Sequence, residues 1–166
     1  DLADLEKGLS VISLSEALRL AGEAVERWDI EILGTDISTE VLETARRGVY
    51  EFDQIPESVP GDMIARYFLR GLDENSGKIM VKNFLKGMAR FNRLNLKERT
   101  YPFRGGFDII FCRNVMIYFD DAMRQHLISQ FHHHLTDGGY LFLGHSETML
   151  GREQFTPVHV TLYRKN

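Results

Sequence analysis

Asp36 stands between a short apolar run, residues 30–34, and the helix start marked by Ser38. A carboxylate at the end of a parallel strand, just before a capped helix, can accept hydrogen bonds from both hydroxyls of a ribose. The plainer reading is a turn in which Asp36 begins the bend or helps Ser38 cap the helix. Arg113 and Asn114 follow a second apolar run, Ile109, Ile110 and Phe111, in the stretch FDIIFCRNVMIYFDD. There a guanidinium can pair with a carboxylate in a two-pronged fork, and an amide can bond the amino and carboxylate groups of a small ligand. The plainer alternative is a surface arginine with an asparagine in a turn. Tyr118 could point a phenol into the same crevice, although Met116, Ile117 and Phe119 around it favour packing.

Other reactive residue types carry less. His132, His133 and His134 are consecutive, and neighbours on a helix point about 100° apart, so one face cannot chelate one ion with all three. They read as a solvated helix end, where a partly charged histidine suits the dipole. His145, Ser146 and Glu147 follow a strand in a candidate site loop. Adjacent residues on extended chain point apart, which argues against a nucleophilic triad there. Cys112, the single cysteine, reads as packing and excludes an intrachain disulfide.

The elements that would position these groups follow from pattern. Residues 13–27 read as a helix with a capping box, Ser13 to Glu16, and an apolar face of Leu14, Ala17, Leu18, Ala21 and Val25. A strand over 30–34 leads through Asp36 to a helix over 39–47, closed by Gly48. Residues 49–62, with Pro56, Pro60 and Gly61, read as loop. Residues 63–85 resemble a small antiparallel hairpin around the turn cluster at 73–77. Residues 91–96 form a possible strand ending in Asn95. The strand at 107–112 reads as buried. A helix over 120–135 is broken by Gly138 and Gly139, and a strand follows at 140–143. A last strand covers 155–163, with Pro157 expected at an edge. Strands alternating with helices imply a parallel α/β sheet built by right-handed crossovers.

Composition sets bounds. The 166 residues suit one domain with a real core. With 43% hydrophobic and 27% charged residues, the chain falls in the globular class. A net charge of −4 gives no support to nucleic-acid binding. The apolar runs are far shorter than a membrane span, the acidic start carries no signal-peptide pattern, and one cysteine suits the cytoplasm.

Taken together, GTDISTEVLETARRGVY at 34–50, RYFLRG at 66–71, Asn95-Leu96, FDIIFCRNVMIYFD at 107–120 and DGGYLFLGHSE at 137–147 resemble the CheR-type chemotaxis receptor methyltransferases. The resemblance covers residues 31–164, with the motifs in the family's order. It implies transfer of a methyl group from S-adenosylmethionine to glutamate side chains on the cytoplasmic domains of membrane chemoreceptors, giving methyl esters. It also implies an α/β fold: a doubly wound, mostly parallel Rossmann-like sheet over 1–62 and 86–166, with a small β-subdomain inserted at 63–85. That subdomain is a candidate docking surface for a receptor tail. Carried over by position, Asp36 resembles the ribose-binding acid, Asn95 and Leu96 an adenosine-contacting pair, and Arg113 and Asn114 a cofactor-contacting pair. Tyr118 matches a tyrosine near the reacting glutamate. The family's N-terminal helical domain, with an active-site arginine, has no visible counterpart. Nor does its first strand, whose glycine-containing loop holds the methionine end of the cofactor; only GLSVIS stands before the helix at 13. A rival expectation is therefore a methyltransferase-like binding or regulatory module without catalysis.

Overall fold

The computed structural model describes residues 27–57, 59–147, 149 and 152–166. The helix expected from residue 13 lies outside them, apart from its last residue. The chain divides into two compact units, Asp1–Asn95 and Leu96–Asn166. The described strands form three sheets, two in the first unit and one in the second.

In the first unit, β1 (Ile32–Asp36) runs parallel to β5 (Ala89–Arg93), with Ile32 opposite Ala89 and Asp36 opposite Arg93. Asp36 is thus the last strand residue rather than one just past the end. Helix α1 (Thr39–Arg47) follows. Its start is fixed by Ser38, whose side chain accepts from the Val41 N–H at 3.3 Å. Its end is fixed by Gly48, which sits at φ 62° and donates to the Thr44 carbonyl.

The inserted sheet has the order β2-β4-β3, with β2 Val49–Glu51, β3 Phe68–Arg70 and β4 Lys78–Val81, all antiparallel. Strand β2 corrects the expected loop. Three residues are too few to show an alternating pattern, and pairing with β4 rather than propensity makes them extended. Helices α2 (Gly61–Tyr67) and α3 (Asn83–Met88) flank the hairpin. Tyr50, Ile55, Ile64, Tyr67, Phe68, Ile79, Val81 and Leu85 form a buried cluster. Each large apolar side chain there contributes about 1.5–3 kcal/mol by leaving water.

In the second unit, β6 (Phe107–Cys112) runs parallel to β7 (Leu135–Leu143) and crosses over through helix α4 (Asp121–His134). Asp120 caps α4 by accepting from the Met123 N–H at 2.8 Å. The single strand expected at 155–163 is a hairpin, β8 (Phe155–His159) and β9 (Leu162–Lys165), giving the order β6-β7-β9-β8. Pro157 lies on the outermost strand, where a missing N–H costs no ladder bond.

Two further expectations change. The glycine pair does not separate α4 from the next strand, because β7 already starts at Leu135 and runs through both. Gly138 takes φ 74° where the pairing register shifts between Phe107 and Ile109. Strand β6 is not buried throughout. Ile109 and Phe111 share one face and are 40% and 56% exposed, while Cys112 is buried.

Candidate functional site

Each unit brings part of the expected set to the carboxyl end of a parallel strand pair. In the first unit, β1 and β5 leave the sheet side by side. The Leu94 N–H donates to the Asp36 carbonyl at 2.9 Å, and Arg93 Nε donates to the Ile37 carbonyl at 3.1 Å. Half-buried Asp36 and half-buried Asn95 therefore stand at the same end of neighbouring strands. Asp36 also does what the plainer reading said, since its Oδ1 accepts from the Ser38 N–H at 2.9 Å. The two roles are compatible. That bond fixes the carboxylate's direction, and a carboxylate has about four acceptor positions.

In the second unit, Leu96 is half-buried and its carbonyl accepts from the Tyr101 hydroxyl at 2.9 Å. Exposed Arg113 and Asn114 follow β6, and Asn114 is left-handed at φ 59°. Next comes a 3-10 turn, Met116–Tyr118, in which Met116 is buried and Tyr118 is 80% exposed. The packing favoured for Tyr118 on composition is not what forms, because Met116 fills the interior and turns Tyr118 outward.

Sequence reasoning placed Glu147 in a candidate site loop but missed what its carboxylate holds. It is only 9% exposed. Its Oε1 accepts from the Val115 N–H at 2.8 Å and the Met116 N–H at 2.7 Å, and its Oε2 accepts from the Gly144 N–H at 2.5 Å. The loop after β7 is thereby tied to the loop after β6. A Cβ at Gly144 would lie 2.8 Å from Asn114 Oδ1 and 3.0 Å from its nitrogen, so the two loops touch closely. Only the glutamate's place in a polar run after an apolar strand hinted at it; its partners are main-chain groups, invisible in a sequence.

Cys112 is buried and its thiol is pushed up to about 12, first by burial and then by the Glu147 carboxylate. It stays protonated at neutral pH and packs rather than reacts. The solvated helix end expected of the three histidines is corrected at His134. That ring is 7% exposed, stacks on Tyr101 at 5.9 Å and meets Phe103 edge-on at 5.5 Å. Among the described residues, no group of three His, Cys, Asp or Glu side chains could hold a metal ion. No helix among them is long and apolar enough to cross a membrane.

Residues 7–164 match the family model described as CheR methyltransferase, SAM binding domain. The chain belongs to the CheR methyltransferase family. A chemotaxis protein methyltransferase of Borreliella burgdorferi is 42% identical over 137 residues, 82% of this chain and 47% of that protein. Those of Salmonella typhimurium and Escherichia coli are each 41% identical, over 82% and 86% of this chain and 45% and 49% of their own. The chain thus spans about half the length of these relatives. Among solved structures, the glycopeptide N-methyltransferase MtfA complexed with S-adenosylmethionine aligns with 68% of this chain and 34% of its own, at 17% identity and a TM-score of 0.40.

The family's domain binds S-adenosylmethionine, and the groups at the strand ends fit that cofactor chemically. A half-buried carboxylate fixed by a backbone bond suits vicinal hydroxyls. Within the first unit the Asn95 amide has the chemistry to suit a base, and within the second the Asn114 amide and Arg113 guanidinium have the chemistry to suit an amino-acid end.

Proposed function

We propose that this chain holds S-adenosylmethionine at the carboxyl ends of its parallel strands and takes part in methylating glutamate side chains of chemoreceptors. The observation that carries the reading is the parallel register of β1 and β5, which supports Asp36 and Asn95 serving one nucleoside. Asp36 accepts from the ribose hydroxyls. Asn95 and Leu96 contact the adenosine, one through its amide and one through apolar surface. Arg113 and Asn114 contact the cofactor beyond β6. When bound, the cofactor supplies a methyl group on a positively charged sulfur.

A glutamate acceptor, with a pKa of about 4.3, is already ionised at neutral pH and needs no strong base. As the carbon–oxygen bond forms, the carbon–sulfur bond breaks, and opposite charges become a neutral ester and thioether. The protein's part is alignment and exclusion of water. Tyr118 orients the acceptor carboxylate with its hydroxyl rather than taking a proton.

The inserted sheet is the proposed receptor contact. Beside it, Phe52, Arg70, Gly71, Ser76, Gly77 and Lys78 line a cleft of about 230 Å³, and the Arg70 guanidinium lies 4.8 Å from the Phe52 ring centre. Two cations at the end of a sheet suit an extended acidic segment.

Asp36→Ala tests the site. Losing a charge-assisted bond to a hydroxyl costs about 1.5–3 kcal/mol, roughly 10- to 150-fold in calorimetric affinity for the cofactor. Ser38→Ala, which disturbs the helix cap but not the carboxylate, is the control and should bind nearly as the parent does. Equal affinity in Asp36→Ala and the parent sinks the ribose assignment. Labelled methyl should enter receptor membranes as alkali-labile ester. Tight cofactor binding without incorporation would favour the non-catalytic module.

A further inference from the structure

We infer that Glu147 and Arg124 are positioning residues that clamp the 113–118 segment, Glu147 setting Asn114 for the cofactor and Arg124 setting Tyr118 for the acceptor. The inference rests on the cofactor role given to Arg113 and Asn114 above. It starts from a main-chain problem. Strand pairing ends at Cys112 opposite Leu143, and the chain then turns through a left-handed Asn114 into a 3-10 turn. The first N–H groups of such a turn have no partner within it. Glu147 supplies one, its Oε1 accepting from both Val115 and Met116.

Met116 is also gripped on the peptide that follows it. Its carbonyl accepts from Arg124 Nε at 3.0 Å, and Arg124 is steadied by Asp121 at 3.3 Å in the first turn of α4. An anion on the N–H of one peptide and a cation on the carbonyl of the next thus hold Met116 at both of its peptide groups. The gap lined by Met116, Ile117, Arg124, Ser146 and Glu147 measures about 10 Å³, at the lower limit for a single water. Glu147, at 9% exposure, is therefore not readily replaced by solvent. The other Glu147 oxygen, on Gly144, sets the distance to β7, and Gly144 itself leaves Asn114 no slack.

Glu147→Gln in the full chain tests the clamp. A carboxamide nitrogen cannot accept, so either Gly144 or the Val115–Met116 pair loses its partner. Affinity for S-adenosylhomocysteine, measured by calorimetry on protein shown to be folded by its melting curve, should fall about tenfold or more. Maleimide labelling of Cys112, the buried residue directly before the segment, should quicken several-fold. Arg124→Met should lower kcat while leaving that affinity within about twofold, a split that general loosening would not produce. If Glu147→Gln does not fold, Glu147→Asp serves, because the shorter arm cannot reach all three donors. Asn114→Ala separates the two ideas. Affinity lost in Asn114→Ala but kept in Glu147→Gln overturns the clamp. Affinity kept in both overturns the cofactor role on which it rests, and faster Cys112 labelling in Glu147→Gln would then show a clamp serving some other end.

Discussion

At the residue scale, the second unit depends on one carboxylate answering three main-chain donors. Such bonds are charge-assisted, and breaking one leaves a buried N–H without a partner, which costs about 1–3 kcal/mol. Gly144 shows how little room is left. Its absent Cβ would sit 2.8 Å from both Asn114 Oδ1 and Glu147 Oε2 and 3.0 Å from the Asn114 nitrogen. The two oxygens can swing aside, but the backbone nitrogen moves only if the turn does. Gly144→Ala should therefore weaken cofactor binding through Asn114, by about five- to thirtyfold at a cost of 1–2 kcal/mol, with a smaller loss of melting temperature. Calorimetry beside thermal melts checks this, and parental affinity would show that the turn relaxes freely. Cys112 nearby needs no catalytic role. Burial keeps it a thiol, and its place directly before the segment makes it a reporter.

At the scale of elements, α4 ends inside an aromatic pocket. Burial depresses the pKa of His134, and the neighbouring His133 pushes the same way. His132, beside Phe155, is lowered too, by burial and then by Lys165, against an opposing pull from Asp137. A folded pKa below the unfolded value of about 6.5 gives stability that is present above that pH and lost as pH falls through the folded value. Acidification from pH 7.5 to 5.5 should lower the melting temperature. His134→Phe, which keeps the aromatic contacts, should make that fall shallower without abolishing it, because His132 remains. An unchanged slope would place the acid sensitivity elsewhere. The helix itself was legible in the sequence because Asp120 caps it and Leu127, Ile128 and Phe131 share a face. So was α1, between Ser38 and Gly48. Elements without local signals were not. Strand β2 has three residues, and Gly138 and Gly139 read as breakers although a bulge inside β7 uses them. The place of Asp36, Asn95, Arg113 and Asn114 at strand ends could be read because such ends are visible where apolar runs stop. What the Glu147 carboxylate holds could not, because the arrangement of those main-chain amides exists only once the fold has formed.

At the scale of the whole molecule, each unit carries its own buried residues. The first is centred on Ile79 and Leu85, each 1% exposed. In the second, Leu127 and Ile128 on α4 and Leu141 and Leu143 on β7 are exposed by no more than 1%. Buried residues in each unit make a definite forecast about how the molecule opens. Leu127→Ala removes three buried carbons at a site with 0% exposure, which costs about 2–5 kcal/mol, a large part of the roughly 5–15 kcal/mol that holds a typical domain folded. If the units open independently, hydrogen exchange should speed up at the amides of α4 and β7 and stay at parental rates for Ile79, Val81 and Leu85 in the inserted sheet and α3. If one cooperative transition governs the chain, the slowest amides of both units should lose protection equally. The first outcome would let the inserted sheet be studied as a receptor contact while the Glu147 clamp is altered. The second would mean that every substitution around the proposed cofactor residues must be corrected for global stability before its effect on binding is read.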